Sequence, residues 1–496
     1  MAIDLSRPAT DVTTGAGSPY GALFEKLQGN ILKSHGRNVE RHVFLKFTGD
    51  RAAVRAWISG KIAPSVLTAA QQFEQARQRR ENSDFDGGFV TLFYLSAEGY
   101  RYLGFNPRNF ESKAFRKGMK DQGDGLIEDF FSTGNKDPKP VRWEAGFRQT
   151  IHAMIQLGDD EEDETRLLNA LSLLQAEAAG LAKIVAVETG RALRRTVDKG
   201  LPTQRVEPIE HFGYFDGISQ PLFTREDVDR YYDVDRKGTR GGGNWDPSAS
   251  LDLVLVDDPF SDEEDACGSY FVYRKLYQNF GQFEDRVVAC ASATGHSGEL
   301  AGAMAVGRFK DGTPVVDFDS PTADYKNDFV FKSLDPDGFR CPAHAHARKV
   351  NPRGTTPSTS AASERRRRIA RRGIPYGRPM PDICDAVQTD LDPAGDRGLL
   401  FMCFQANIED QFEFIQRVWV DNPNFPTNVL NLPPILGGKD TGDDPLIGQD
   451  QNEPQRWPKT WGNAAAGREK FNLEAAVTLK GGEYFFAPSM PFLAAL

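Results

Sequence analysis

Cysteine and histidine are scarce in this sequence, which has 5 and 7 of them in 496 residues. Cys267, Cys290, Cys341, Cys384 and Cys403 are odd in number, widely spaced and never arranged as CxxC. That pattern argues against a disulfide framework and against a zinc site of the usual spacing. A reducing cytoplasm is the expected location. Long hydrophobic runs are missing too: no stretch of about 18 apolar residues occurs. Residues 1–20 carry Asp4, Arg7 and Asp11 and hold neither an apolar h-region nor a twin arginine ahead of one. Neither a membrane span nor export by these routes is expected. Positive charge is in deficit, with 60 Lys and Arg against 70 Asp and Glu and a net charge of -10. The average surface therefore repels phosphate backbones, and general binding to nucleic acid or anionic membrane is not expected. What remains is a soluble globular chain with 39 % hydrophobic residues, long enough for two or more domains of about 100–200 residues.

Strand-like runs appear at His42–Phe47, Gly88–Leu95, Ile151–Leu157 and Ala182–Glu188. Helix-like stretches lie between them, at Arg51–Ile62, at Ser96–Tyr100 and from the acidic run Asp159–Glu164 through Leu173. Acidic residues there complement a helix dipole. A similar set recurs as Gly268–Leu276, Gly398–Gln405, the helix-like Ile408–Trp419 and Glu483–Pro488, without a residue-level repeat. Alternating rather than continuous apolar residues point to an antiparallel sheet with helices on one face. The expected fold is α+β, with two ferredoxin-like halves divided as 1–210 and 211–496. The second half carries insertions rich in Gly, Pro, Asp and Ser at Arg240–Asn244, Gly354–Ser363 and Gly437–Pro454, read as surface loops or lids. The triple glycine at 241–243 lacks a following Lys-Ser/Thr, so it is not a phosphate-binding loop.

Three segments carry chemistry. Gly213-Tyr214-Phe215-Asp216-Gly217-Ile218-Ser219-Gln220-Pro221 puts an acid in a tight turn, where flanking glycines let the backbone approach a flat ligand. Cys341-Pro342-Ala343-His344-Ala345-His346-Ala347-Arg348-Lys349-Val350-Asn351-Pro352-Arg353 holds two of the seven histidines. Ile369-Ala370-Arg371-Arg372-Gly373-Ile374-Pro375-Tyr376 closes a run of six arginines in eight positions. An acid, a histidine and an arginine are the groups needed to hold a haem iron and split a peroxide on it.

In this combination and order the chain resembles the dye-decolourising peroxidase family, in its longer, cytoplasmic-type members. Leu27-Gln28-Gly29-Asn30-Ile31-Leu32-Lys33 and Gly481-Gly482-Glu483-Tyr484-Phe485-Phe486-Ala487-Pro488 extend the resemblance over almost the whole chain. It implies haem b, with the haem held by the second half. His346 falls on the position of the axial ligand, and His344, two residues earlier, is its control. Asp216 falls on the distal acid and Arg371 on the distal arginine, with Arg372 as the rival. Arg348, Leu399 and Phe401 are expected on the cofactor, the last two from one side of a strand. A carboxylate behind the ligand would make it more electron-rich; Asp410 and Glu413 are the candidates. The implied activity is reduction of hydrogen peroxide through an oxo-ferryl species, coupled to oxidation of dyes, phenols and other aromatics. A carboxylate base, with an ordinary pKa near ~3.9, implies an acidic optimum. Bulky dyes would need a surface aromatic to pass electrons inward, and Trp419, Tyr376 and Tyr484 are among many candidates. Two other readings compete: a haem carrier without turnover, which has no need of Asp216 and Arg371, and an interaction protein built on Arg365–Arg372, which would bind nucleic acid in a salt-sensitive way.

Overall fold

Four strands of the first half, β1 (Val39–Phe47), β2 (Val90–Leu95), β3 (Ala153–Asp159) and β4 (Ala182–Arg191), join four of the second in one sheet. The latter are β5 (Cys267–Gln278), β6 (Ile374–Tyr376), β7 (Gly398–Gln405) and β8 (Val477–Ala487). The computed structural model describes residues 3–15, 17–82, 84–121, 143–160, 164–197, 205–233, 244–323, 326–356, 360–380, 395–426, 441–449 and 454–496. Pairing is antiparallel in the order β6–β7–β5–β8–β2–β3–β1–β4. Each half thus runs fourth, first, third, second across its sheet, which is the ferredoxin-like order. The fold is α+β, as the alternating strands predict.

The halves meet where Phe486 of β8 pairs with Leu95 of β2. Gln28 reinforces the seam: its amide donates to Phe93 O at 2.8 Å and to Pro488 O at 2.9 Å. At the far ends the sheet curls back on itself. A Cβ added to Gly190 of β4 would stand 2.4 Å from Ile374 of β6, so glycine permits the close approach that makes the whole barrel-like. One apolar core runs through both halves, from Phe44 and Phe93 to Phe271, Leu400 and Phe485. A smaller cluster around Phe212, Phe283, Met304 and Trp457 belongs to the second half.

Helices α1 (Arg51–Trp57), α2 (Ala69–Glu81) and α3 (Thr165–Glu177) flank the first half. Asp50 caps α1 by accepting the Ala52 and Ala53 N–H groups, and Thr68 with Gln71 forms a capping box on α2. The second half adds α4 (Phe280–Thr294) and α5 (Gly298–Val306). No helix among the described residues is long and apolar enough to cross a membrane. Four described cysteines are buried and unpaired; Cys384 lies outside the described residues.

Several expectations need correction. The stretch Ile408–Trp419 is a short helical turn, Phe412–Phe414, running into a π-helix, Ile415–Val420. The insertion Gly437–Pro454 is not a surface loop in its described part: Thr441, Asp443 and Asp444 are buried. Its flanks, 437–440 and 450–453, lie outside the described residues, as do 161–163, 240–243, 357–359 and their predicted loops or helix start.

Candidate active site

The glycine-flanked turn follows a hairpin, Leu193–Val197 with Arg205–Ile209. Asp216 N–H donates to Pro208 O at 3.0 Å, and Glu210 accepts the N–H groups of Phe212 and Tyr214 at 2.8 and 3.0 Å. Gly217 has a φ of +79°, a conformation that L side chains rarely adopt. This geometry turns the Asp216 carboxylate toward a cavity of ≈ 280 Å³ in the second half. Among the described residues only Oδ1 of that carboxylate is engaged, by Gly217 N–H at 2.6 Å and Arg371 Nη1 at 2.8 Å.

Arg371 sits on a two-residue strand, Ala370–Arg371, paired with Phe404 and Cys403 of β7. Its own N–H donates to Gln220 Oε1 at 3.0 Å, joining the arginine to the turn. Consecutive strand residues face opposite ways, and Arg372 points away from the cavity. Its guanidinium donates to Asn30 O at 2.6 Å and Ile31 O at 2.7 Å. Of the two rivals, Arg371 lines the cavity. On β7, Leu399 and Phe401 face the cavity half-exposed while Leu400 and Met402 are buried in the core behind.

His346 opens a short helix, α6 (His346–Val350), and lines the same cavity. Its Nδ1 is 2.8 Å from Asp444 Oδ2. Asp444 is 1 % exposed, and its other oxygen accepts Leu446 N–H at 2.8 Å and Ile447 N–H at 3.1 Å. With both carboxylate oxygens committed, the imidazole is held with Nε2 uncommitted. The carboxylate behind His346 is therefore neither predicted candidate: Asp410 pairs with Arg367 at 2.9 Å and Glu413 accepts the Tyr484 hydroxyl at 2.9 Å. His344 lies outside the cavity, buried against Trp457 with ring centroids 4.4 Å apart, and burial pulls its pKa well down. The remaining histidines sit on structural partners, such as Phe47 N–H on His152 and Tyr376 O on His211.

Arg348 is also misplaced by the expectation. It is wholly buried away from the cavity, donating to Cys341 O at 2.7 Å and Asp335 O at 2.9 Å and pairing with Asp335 at 3.3 Å. The cavity arginine of that segment is Arg353, 3 % exposed and packed between Trp245 and Phe329, each 4.5 Å from its guanidinium carbon. Its hydrogen bonds go to Asn327, Phe329 O and Ser219 Oγ, with no carboxylate. Burial, and then Arg308, push its pKa down to about 9. Arg353 stood in the Asn-Pro-Arg end of the histidine segment, so its signal was present. Asp444 and Glu210 had none. Burial pushes the Glu210 carboxyl up, against the pull of the backbone N–H groups it accepts.

The arginine run is engaged internally: Arg365 with Asp246 at 3.1 Å, Arg366 with Asp252 at 3.4 Å, Arg367 with Asp410, and Arg368 with the carbonyls of Pro247 and Ser248. Nor do the suggested electron-entry aromatics reach the surface. Trp419, Tyr376 and Tyr484 are 4, 5 and 0 % exposed, because each faces a packed apolar cluster.

These residues fit a haem. Val306, Val350, Ile369, Leu399, Ile415 and Ile447 supply apolar walls, and among the described residues His346 Nε2 has no partner and Arg353 is a buried cation with no carboxylate on it. Fold and cavity together are those of a haem-dependent oxidoreductase.

Residues 238–432 match the family model described as Dyp-type peroxidase, C-terminal. The multifunctional dye peroxidase DyP2 of Amycolatopsis sp. is 38 % identical over 100 % of both chains. Its solved structure superposes with a TM-score of 0.85 over 100 % of both, at 36 % identity. A DyP-type peroxidase of Anabaena sp. gives a TM-score of 0.83 and 38 % identity, covering 99 % of this chain and 98 % of that one. The chain belongs to the DyP-type family of dye-decolourising peroxidases, and is an oxidoreductase of that kind.

Proposed function

We propose that this protein is a cytoplasmic haem b peroxidase that reduces hydrogen peroxide and oxidises dyes, phenols and other aromatic compounds. The haem, when bound, supplies the iron at which peroxide is reduced and the electrons are exchanged. The observation carrying this reading is that two pairs, His346–Asp444 and Asp216–Arg371, line one apolar cavity. His346 Nε2 would hold the haem iron, with Asp444 fixing the imidazole's orientation and enriching it in electron density. Asp216 Oδ2, left unengaged, accepts a proton from one peroxide oxygen and returns it to the other so that water leaves. Arg371 stabilises the negative charge that develops as the O–O bond stretches. Leu399 and Phe401 keep the cavity wall beside Asp216 and Arg371 apolar, and Arg353 would pair with a carboxylate of the haem. The haem belongs to residues 211–496 and the first half, 1–210, completes the barrel. Four unpaired buried thiols support the cytoplasmic location.

The test is the absorption spectrum of the purified protein before and after hydrogen peroxide, with His346→Ala and His344→Ala alongside. A Soret band that responds to peroxide and disappears in the His346 variant alone is expected. A haem retained by His346→Ala, or lost equally in His344→Ala, sinks the ligand assignment. Absence of haem after reconstitution sinks the function.

A further inference from the structure

Apart from the haem-type cavity, a second cavity of ≈ 490 Å³ opens between α2, the loop after Asn30 and the helix Arg225–Asp233, where the two halves meet. Five cations line it: Lys33, Arg37, Arg79, Arg80 and Arg230. Among the described residues no carboxylate and no aromatic ring lines it except the imidazole of His35. In a chain of net charge -10 this is a marked local excess.

Part of that excess is answered nearby, and Arg230 too takes part in an interaction of its own. Lys33 contacts Asp227, and Arg79 pairs with Asp160 at 3.0 Å. Arg37 is 6 % exposed, and among the described residues its guanidinium hydrogen-bonds only neutral oxygens, those of His35, Gly87, Gly88 and Gln75. Burial pulls its pKa down, and the nearby carboxylates of Asp160, Asp159 and Asp86 offset that only in part. Arg80 has no partner among the described residues. The site is also braced before anything enters it. Gln72 donates to Lys33 O at 2.9 Å and accepts Asn30 N–H at 2.6 Å, and the same loop is held from the other side by Arg372.

We propose that this cavity binds a compact, multiply charged oxyanion, a polycarboxylate or an oligophosphate. Guanidinium groups engage carboxylate and phosphate oxygens in pairs. The lack of apolar walls beyond Ala76 leaves nothing for a nucleobase or other aromatic body to stack on. None of the residues lining this site lines the haem-type cavity.

The test uses the full chain at ionic strength matched with chloride. Tripolyphosphate and citrate are each titrated by calorimetry, and the melting temperature is followed in parallel. Arg37 braces a loop and its loss risks misfolding, so the variant is the double substitution Arg79→Gln with Arg80→Gln at exposed positions on α2. Binding and a raised melting temperature are expected for at least one anion, weakened about tenfold in the double variant. Arg366→Gln, whose side chain is 72 % exposed elsewhere, is expected to bind as the parent does. A response to tripolyphosphate alone assigns an oligophosphate, and to citrate alone a polycarboxylate. No response beyond matched chloride, an unweakened double variant, or an equal loss in Arg366→Gln overturns the proposal.

Discussion

Asp444 shows how much one carboxylate can determine. Its Oδ1 pins the backbone of Leu446 and Ile447, and its Oδ2 accepts a hydrogen bond from Nδ1–H of His346. The tautomer of His346 follows from that contact, and so does the availability of Nε2. Replacing Asp444 by Asn keeps the shape but removes the negative charge. We expect haem affinity or peroxidase kcat to fall on the order of 10- to 100-fold, and the haem reduction potential to move positive. Spectroelectrochemical titration of Asp444→Asn beside the parent checks this, and an unchanged potential refutes it. Nothing local marks Asp444 among 70 acidic residues. It becomes a partner of His346 across 98 positions only because the chain returns there. Asp216 differs: glycines at 213 and 217, both at positive φ, announce its turn in the sequence itself.

At the scale of the element, α6 is too short to hold its own orientation, and the five residues His346–Val350 depend on what they bury. Arg348 is the anchor. Its guanidinium reaches the 335–341 loop, where Asp335 also accepts the N–H groups of Phe339 and Cys341 at 2.9 and 2.8 Å. Arg348→Met leaves Asp335 charged and buried without its cation, which costs about 3–5 kcal/mol. A melting temperature lowered by several degrees is expected in the apoprotein, where haem binding cannot contribute. An apoprotein as stable as the parent contradicts this role. Strand β7 was legible to the residue, and in it Leu399 and Phe401 on the cavity alternate with the buried Leu400 and Met402. Strand β6 was not, being three residues with Pro375 at its centre and existing only by pairing with β7.

For the whole molecule, the shared core makes buried charge a pH-dependent liability. Glu413 is 1 % exposed, and burial pushes its carboxyl from an ordinary 4.5 up to about 7, the Tyr484 hydroxyl opposing. Between those values the folded chain keeps a proton that the unfolded chain releases. Its contribution to stability is therefore full below about pH 4.5 and is lost as pH rises through about 7, a loss of about 3 kcal/mol at most. Glu413→Gln is expected to gain on the parent across that window and to hold a constant advantage above about pH 8. Melting temperatures at several pH values decide the matter, and a pH-independent difference rejects it.

Local pattern was sufficient for the fold class and for the two similar halves, and motifs resembling those of a known family picked out the acid, histidine and arginine of the cavity. Each of those rests on near neighbours along the chain: alternation along a strand, glycines beside an acid, the register of a histidine within its segment. Only the tertiary structure decided that Arg371 rather than Arg372 faces the cavity, that Arg348 is a strut and Arg353 the cavity cation, and that Asp444 stands behind His346. Those assignments depend on which side of a strand is buried and on which distant segment packs there, and burial of charge is settled by the folded whole.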